Sequence, residues 1–554
     1  MQIWANRLQL RMLKRKGVRK SLKALWKMYL PLRLPTLITI FIGGVRVAAS
    51  LAFVWNSKML VDIATGTVNA SLKTHIYLMC AIMVLQLLTG LGASWWESYI
   101  TIKTQNRMRH EIFGYVLGSR WNGKEKFLSG DTVNRIQDDI KIVADILCSR
   151  IPNLIITILQ FVVFSGYLLR MAPYLFWVLL ILSIIMAFSA RLFFFKRREI
   201  SYRVRAEESA IQQHMQENLQ NRLVVLTISS VSNVLGRLRI LQRGQLRLSI
   251  KGLNLSAFSR GVMQAGFFTG YMVAFFWGIY GIRGGTVTYG MMTAFLQLVG
   301  QVQRPIAEIG RQFTSFINVL TSVDRLVELK QLPQERESEQ QLLPGAPAVE
   351  VKNLSFSYEG QSKLVIENFS KLFPAGEMSV ILGETGTGKS TLIKLILGLL
   401  KPNEGEIVIG GEPAGVHLMC NFMYIPQGNT LMSGTIRHNL LLANPNGSEE
   451  LMRHALRMAE ADFVFSTPDG LDTVCGEVGS GLSEGQSQRI AIARALMKDG
   501  GILILDEATS ALDEKTETAL LQNLAREYKG KKTIIFISHR KKVVEFADQI
   551  VTLK

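Results

Sequence analysis

A glycine-rich stretch, GETGTGKST at positions 383–391, carries the strongest chemical pattern in this sequence. It follows an apolar run, Met378 to Leu382, that predicts a buried strand, and it opens a helical pattern that continues to about Leu400. The backbone N–H groups of such a loop and the positive end of the helix dipole suit a phosphate group. We predict a nucleotide site in which Lys389 reaches the β- and γ-phosphates and Ser390 ligates Mg²⁺. The predicted loop residues are Gly383, Glu384, Thr385, Gly386, Thr387, Gly388, Lys389, Ser390 and Thr391.

A second apolar run, Gly501 to Leu505, ends in two adjacent carboxylates, Asp506 and Glu507. On its own this pair also fits a solvated strand end. Beside a phosphate loop, however, a carboxylate that binds the metal and one that orients the attacking water are both needed for phosphoryl transfer. We assign the first role to Asp506 and the second to Glu507.

The pentapeptide LSEGQ at positions 482–486 lies between these two motifs. It resembles the signature of the ATP-binding-cassette (ABC) family, which in most members reads LSGGQ. The resemblance extends over the whole ATPase half and implies ATP and Mg²⁺ as cofactors. It also implies that Ser483, Gly485 and Gln486 close on ATP held by a second copy, so that the working unit is a dimer.

The resemblance implies roles for four further residues. Tyr358 is similar to the aromatic residue that stacks on adenine, and Gln427 to the sensor glutamine at the metal. The stretch Ser510-Ala-Leu-Asp513 resembles the dimer-contact loop of the family. His539 is similar to the switch histidine that holds the γ-phosphate. Tyr358 also fits an ordinary strand aromatic, Gln427 a turn residue and His539 a surface histidine. The order and spacing of these residues along the chain nevertheless favour the functional interpretation.

Two features depart from the family pattern. Glu484 replaces the first signature glycine, and its carboxylate would repel a nearby γ-phosphate unless it points into solvent. The sequence ends in Ile550-Val-Thr-Leu-Lys554, where similar domains continue through another strand and short helices. We expect the ATP chemistry not to depend on that segment.

The composition predicts a membrane protein. Of 554 residues, 48% are hydrophobic and the mean hydropathy is +0.21, yet the formal net charge is +20. Lysine and arginine crowd alternate segments between apolar runs, which is the positive-inside pattern. Because no basic patch is interleaved with exposed aromatics, we exclude a nucleic-acid partner and expect contact with membrane lipid. Six runs are long enough to span a bilayer, near 36–58, 75–98, 151–171, 173–195, 259–282 and 288–309.

These segments and motifs define the expected architecture. The long polar segments 99–150 and 196–258 predict that membrane helices continue into the cytosol, and the resemblance implies coupling helices near 112–125 and 222–236. We expect a six-helix all-α transmembrane domain over 1–330, a linker over 331–347, and an α/β P-loop nucleotide-binding domain over 348–554. The membrane half is similar to exporter-type members of the family.

Several polar residues lie inside the predicted spans. Arg46, near the middle of the first span, requires a cavity or a partner. Gln297, Gln301 and Arg304 share one face of the last span by their spacing. That face either lines the transport path or forms hydrogen bonds between helices, and the sequence leaves both open.

The sequence therefore predicts an ATPase coupled to export, a half-transporter that pairs with a second half as a homodimer or a heterodimer. The alternative, suggested by Glu484, is a regulatory or low-turnover half of a heterodimer. We expect a multi-pass protein of the bacterial plasma (inner) membrane with its ATPase domain in the cytosol. The four cysteines lack metal-ligand spacing, so neither a disulfide nor a metal site is expected of them. The exported substrate is not specified.

Overall fold

A computed structural model of the protein describes residues 21–120, 129–335, 339–358, 363–384, 386–476, 479, 481–538 and 540–553. The chain divides into two compact units. The first covers Met1–Val116 and Ser129–Gln331, and the second covers Leu117–Leu128 and Leu332–Lys554.

Long helices build the first unit in its described residues. Short helical segments from Ser129 to Arg150 lead without a break into the third of these helices. The helices are α1 (Arg33–Ala64), α2 (Leu72–Leu117), α3 (Ile151–Met171), α4 (Pro173–Gln220), α5 (Arg222–Thr227), α6 (Val231–Arg283) and α7 (Tyr289–Lys330).

Four helical stretches among the described residues are long and apolar enough to cross a membrane. The other two predicted spans lie in α4, which has a shorter apolar section at Pro173–Ile185, and in α7. The protein is therefore a multi-pass membrane protein. The four stretches are Ser21–Ala64, Leu72–Leu117, Thr132–Met171 and Val231–Arg283.

The start of α7 is fixed by two side-chain acceptors. Thr288 caps the helix by accepting a hydrogen bond from the Met291 amide at 3.1 Å, and the buried Asp62 carboxylate of α1 accepts one from the Gly290 amide at 3.0 Å. Both acceptors satisfy N–H groups that have no partner within the helix. The first and last membrane helices are thereby joined at this end.

A row of small residues lets α6 approach α7 closely. Gly266, Gly270, Ala274 and Gly278 recur every four residues along α6 and are buried. A Cβ at Gly270 would overlap the amide of Gln303 on α7. Close backbone approach of this kind is the usual basis of helix packing in membranes, where no hydrophobic force drives association.

Ion pairs hold the opposite end of α7. Arg325 lies 2.9 Å from Asp139, whose side chain is almost fully buried, and Glu328 lies 2.8 Å from Arg135. Lys330 pairs with Glu111 of α2. The three contacts connect the last helix to two earlier parts of the first unit.

The second unit is an α/β domain. Its smaller secondary-structure elements are the strand pair β7–β8 and short 3-10 turns. The strands are β1 (Val349–Phe356), β2 (Ile366–Phe373), β3 (Met378–Leu382), β4 (Glu404–Ile409), β5 (Glu412–Pro413), β6 (Phe422–Ile425), β7 (Gly434–Thr435), β8 (Val474–Cys475), β9 (Ile502–Asp506), β10 (Thr533–Ile537) and β11 (Gln549–Thr552). The helices are α8 (Lys389–Ile396), α9 (Ile436–Leu441), α10 (Glu449–Met458), α11 (Glu484–Leu496), α12 (Glu514–Tyr528) and α13 (Lys541–Glu545).

A five-stranded parallel sheet positions the chemistry of this unit. Its order is β11-β3-β10-β9-β6, and β9 and β10 are buried along their whole length. Hydrophobic clusters pack on both faces, as expected for a parallel sheet. An antiparallel sheet, β2-β1-β4-β5, completes the domain. The carboxyl ends of the parallel strands therefore meet at one edge, where ligands bind in open α/β sheets.

Candidate functional site

The glycine-rich loop connects β3 to α8 at that edge. Gly386 and Gly388 have φ angles of 91° and 92°, a left-handed conformation that glycine adopts without strain. A Cβ at Gly388 would lie 3.0 Å from the Val365 carbonyl oxygen, so space also excludes a side chain. The chain thus turns sharply into α8, which begins at Lys389. Thr385 lies outside the described residues.

Helix α8 is shorter than the sequence pattern predicted. It ends at Ile396, because Gly398 takes a left-handed conformation with φ of 73°. The amides of Leu399 and Leu400 then donate back to the Lys394 carbonyl oxygen at 3.0 and 3.2 Å. This is a common way for a helix to end.

The side chains of Lys389 and Thr387, both predicted to bind phosphate, form hydrogen bonds with the backbone of the loop. The buried Lys389 ammonium donates to the carbonyl oxygens of Gly383 and Glu384 at 2.7 and 2.8 Å. Thr387 Oγ1 also donates to the Glu384 carbonyl oxygen, at 2.9 Å. The ammonium group is therefore centred on the loop, and phosphate oxygens are stronger acceptors than these neutral carbonyls.

Two predicted metal ligands are neighbours. Ser390 Oγ, at the start of α8, donates to Asp506 Oδ1 at 3.3 Å, and Asp506 is the last residue of β9. Burial raises the pKa of the Asp506 carboxyl. Burial and the nearby Asp506 carboxylate also raise the pKa of Tyr424. A cation at this position would compensate the buried charge, and hydroxyl and carboxylate oxygens are the ligands that Mg²⁺ prefers.

Glu507 has an unusual backbone conformation. Its φ of 49° is in the left-handed region, although it is not a glycine, and its amide donates to the Ile537 carbonyl oxygen at 3.0 Å. Gln427, which follows β6, donates from Nε2 to Glu507 Oε2 at 2.6 Å. Strain of this kind costs about 1–3 kcal/mol and is concentrated at functional sites. The structure thus brings Gln427, Glu507, Asp506 and Ser390 together.

Tyr358 lies beside the end of the phosphate loop. Its hydroxyl is 3.0 Å from Thr391 Oγ1, and its ring packs edge-on against Phe356 with centroids 5.1 Å apart. Half-buried, it retains an exposed part for contact with a planar ligand. His539 lies outside the described residues.

The signature residues form the start of α11. Ser483 is its N-cap, since its Oγ accepts from the Gln486 amide at 3.2 Å while Gln486 Oε1 accepts from the Ser483 amide at 3.0 Å. A Cβ at Gly485 would lie 2.9 Å from the Ala511 carbonyl oxygen, so this glycine is required by packing. Glu484 is exposed in the first turn, where the positive end of the helix dipole stabilises a carboxylate.

No hydrogen bond joins these signature residues to the phosphate loop within the described part of the chain. Asp513 likewise acts locally, as the N-cap of α12, and accepts from the Thr516 amide and hydroxyl at 3.1 and 2.7 Å. The Thr516 hydrogen bonds lower the pKa of Asp513. The predicted site residues therefore form two groups.

Sequence reasoning missed two residues that support the dimer-contact loop. The buried Gln488 amide donates to Ser510 Oγ at 3.4 Å and accepts from the Ala511 amide at 3.1 Å. Arg540 donates to the carbonyl oxygens of Leu512 and Ser510 at 2.9 and 2.7 Å. It also pairs with Glu517 Oε2 at 2.8 Å. Its position directly after His539 was the available signal.

The first unit contains a separate cavity of about 720 Å³ between α6 and α7. Gln297, Gln301 and Arg304 line it, so their shared face does border a cavity. The two glutamines also bond to other helices: Gln297 donates to Ser57 Oγ at 3.0 Å, and Gln301 Oε1 accepts from Gln160 at 2.6 Å. This face therefore borders a cavity and also joins helices through hydrogen bonds, and its place in a transport path stays a prediction.

Two family models match the chain. The model of the ABC transporter transmembrane region matches residues 36–306, and the ABC transporter model of the ATP-binding part matches residues 366–510. The chain belongs to the ABC transporters, with the membrane region and the ATP-binding domain in one polypeptide. It is an ATPase coupled to transmembrane transport.

Individual relatives agree with this assignment. The chain is 27% identical over 507 residues to YfiC of Bacillus subtilis (strain 168), an uncharacterized ABC transporter ATP-binding protein, covering 90% of this chain and 83% of that protein. It is 36% identical over 289 residues to the alpha-hemolysin translocation ATP-binding protein HlyB of Escherichia coli O157:H7. This match covers 51% of this chain and only 41% of HlyB.

A solved structure shares the fold. A bacterial Atm1-family ABC exporter with ATP bound superposes with a TM-score of 0.79 at 23% identity, covering 94% of each chain. The predicted fold class, a helical transmembrane domain followed by an α/β nucleotide-binding domain, is therefore confirmed.

Proposed function

We propose that this chain is one half of a dimeric, ATP-driven exporter. ATP lies on the glycine-rich loop from Gly383 to Thr391, with Tyr358 on the adenine and Lys389 on the phosphates. Ser390, Asp506 and Gln427 would hold Mg²⁺, which would neutralise the negative charge that develops on the phosphates. Glu507 orients the attacking water, and His539 holds the γ-phosphate.

The observation that carries the proposal is the meeting of four side chains from three elements. Ser390 lies in the first turn of α8, Asp506 ends β9 and is followed by Glu507, and Gln427 follows the neighbouring strand β6. The 3.3 Å contact of Ser390 with Asp506 and the 2.6 Å contact of Gln427 with Glu507 bring metal ligands and a base together. This is the arrangement that in-line attack on a γ-phosphate needs.

A dimer explains the second group of residues. Ser483, Gly485, Gln486 and Asp513 would close on the ATP of a partner subunit. ATP must bind the closed pair more tightly than the open one to drive a change in the membrane cavity. Loss of the γ-phosphate would then release the pair and reset the transporter.

The proposed architecture places six spans in residues 1–330, a linker at 331–347 and the nucleotide-binding domain at 348–554. The segments near 112–125 and 222–236 would couple the two parts. The short helix α5, Arg222–Thr227, lies in the second segment. The positive-inside pattern supports a bacterial plasma membrane location with the ATPase domain in the cytosol.

A regulatory or low-turnover half of a heterodimer is the second candidate. Glu484 favours it, because an exposed carboxylate in the first turn of the signature helix would face the phosphates of a partner's ATP. The partner would then be a second half-transporter with an ordinary signature.

The deciding experiment measures ATP hydrolysis and oligomer mass of the full chain in lipid nanodiscs. We expect a hydrolysing homodimer, and a Glu507→Gln variant that binds ATP without turnover. Glu404→Gln, at an exposed strand residue, is the matched control and should hydrolyse normally. Unchanged turnover in Glu507→Gln would refute the assigned base, and an idle chain that a second subunit activates would favour the alternative.

A further inference from the structure

The cavity between α6 and α7 has the size and lining of a binding site for a small molecule. Its volume of about 720 Å³ lies within the range of about 300–1,000 Å³ typical of ligand pockets. Phe267, Phe268 and Tyr271 of α6 form an aromatic wall along it. The walls come from Arg260–Tyr271 and Leu296–Arg304 of one unit of the chain.

The charge of this cavity is entirely positive in its described residues. Arg260 and Arg304 line it, and no acidic side chain does so. Arg304 has no hydrogen-bond or ion-pair partner in the part of the chain that the structure describes, and Arg260 Nε donates only to the Ser256 carbonyl oxygen of its own helix, at 3.4 Å. Both arginine side chains are exposed, so they are accessible to a ligand but lack a counter-charge from the lining of the cavity. An anionic ligand would supply it.

Helix packing fixes how the two cations are spaced. Gly270 of α6 lies against Gln303 of α7, so Arg304, the next residue, lies close to the Gly270 level. The ten residues from Arg260 to Gly270 span about 15 Å along α6. Phe267 and Phe268 lie between these levels. The cavity therefore offers an aromatic surface flanked by two cations.

Gln303 closes the back of the cavity against α6. It lines the cavity, but it is only 1% exposed, and its amide lies against Gly270. Both amide atoms are inaccessible from the cavity, so this side chain shapes the wall and presents no polar group to a ligand. Its neighbours Gln297 and Gln301 bond to Ser57 and Gln160. The polar recognition therefore rests on Arg260 and Arg304.

We propose that this cavity binds amphipathic organic anions, solutes with an aromatic or apolar body and an acidic group, and this inference rests on the proposed export function. The aromatic wall takes the body, and either Arg304 or Arg260 takes the acidic group. The anion is either a water-soluble solute or an anionic lipid, since both carry this chemistry.

Two fluorescent probes with the same ring body test the proposal. One is 8-anilinonaphthalene-1-sulfonate, and the other is its neutral parent, N-phenyl-1-naphthylamine. Binding is measured to the full chain in phosphatidylcholine nanodiscs without ATP, after subtraction of empty nanodiscs. We expect the double variant Arg260→Gln/Arg304→Gln to raise the Kd of the sulfonate about tenfold, which is about 1.4 kcal/mol, because either cation alone can take the acidic group. The neutral probe should bind this variant within about twofold of wild type, and Arg260→Lys/Arg304→Lys should retain sulfonate binding.

The control is Arg283→Gln, at the exposed end of α6 and outside the cavity, which should leave both affinities unchanged. Equal loss of both probes, or no loss of sulfonate binding in the double variant, would overturn the proposal. Weaker sulfonate binding in nanodiscs that contain phosphatidylglycerol would identify anionic lipid as the competitor, and unchanged binding would identify soluble anions. Sulfonate binding by a chain that hydrolyses no ATP, alone or with a second subunit, would leave this inference standing and remove only the export function.

Discussion

Replacing Arg540 should separate the stability of the nucleotide-binding domain from its catalysis. The side chain makes an ion pair with Glu517, which is 1% exposed, while Arg540 itself is 36% exposed. Removing one partner of a buried pair costs about 3–5 kcal/mol, and the exposure of Arg540 favours the lower value. We expect Arg540→Met to destabilise the domain by about 3 kcal/mol. For a domain of this size that lowers Tm by roughly 6–12 °C.

A double variant distinguishes the two roles of Arg540. Glu517→Gln in the Arg540→Met background removes the buried unpaired charge, so it should recover most of the lost stability. The carbonyl oxygens of Ser510 and Leu512 still lack their donor in both variants. Because these residues belong to the loop that is proposed to contact the partner subunit, ATP hydrolysis should remain low in the double variant even though its Tm recovers.

The assay combines thermal unfolding and ATP hydrolysis of the full chain in nanodiscs. Lys542→Met is the matched control, since the Lys542 pair with Glu514 is mostly exposed and is worth less than about 1 kcal/mol. The reasoning fails if Arg540→Met and Lys542→Met lower Tm equally. It also fails if the double variant recovers hydrolysis together with Tm, because the carbonyl contacts would then have no separate role.

Three further predictions concern other sites. Gly290→Ala should destabilise the membrane unit by about 2 kcal/mol, because a Cβ would overlap the Lys58 carbonyl oxygen and Asp62 Oδ1; Gly261→Ala, where a Cβ meets nothing within 4 Å, should not. Denaturant titration compares the two. The raised pKa of Asp506 means that the folded domain loses stability as pH rises past the ordinary carboxyl range. Asp506→Asn should therefore be more stable than wild type near pH 7 and equal to it at acidic pH, without hydrolysing ATP. Ser483→Ala should cost about 1 kcal/mol by removing the cap of α11, and Ser483→Thr should restore most of it in the same urea titration.

Local patterns predicted the elements of the nucleotide site well. The strand from Met378 to Leu382 has the predicted bounds, because a short apolar run before a glycine loop has few alternatives as a structure. The second strand is displaced by one residue and includes Asp506. Helix α8 ended early at Gly398, whose effect depends on a backbone conformation that composition does not reveal.

Contacts between distant residues were not predictable in this way. Arg540 and Glu517 are separated by 23 positions, and Gln488 and Ser510 by 22. Neither pair has a spacing that a helix or strand period would indicate. The left-handed φ of Glu507 is likewise set by its surroundings, since its amide bonds to Ile537 of another strand. The sequence predicts the reacting groups, and tertiary packing determines how they are held.

Arg46 and Arg304 both lie within predicted apolar spans, but their surroundings differ. Arg46 lines a small cavity of about 230 Å³ together with Glu97, so a carboxylate of the chain itself lies in the same space. Arg304 lines a larger cavity where the described residues include no carboxylate. Both arginine side chains are exposed and line a cavity. Since no carboxylate lines the Arg304 cavity among the described residues, the proposed anionic ligand is inferred from the surroundings of Arg304 and not from its position in the predicted span.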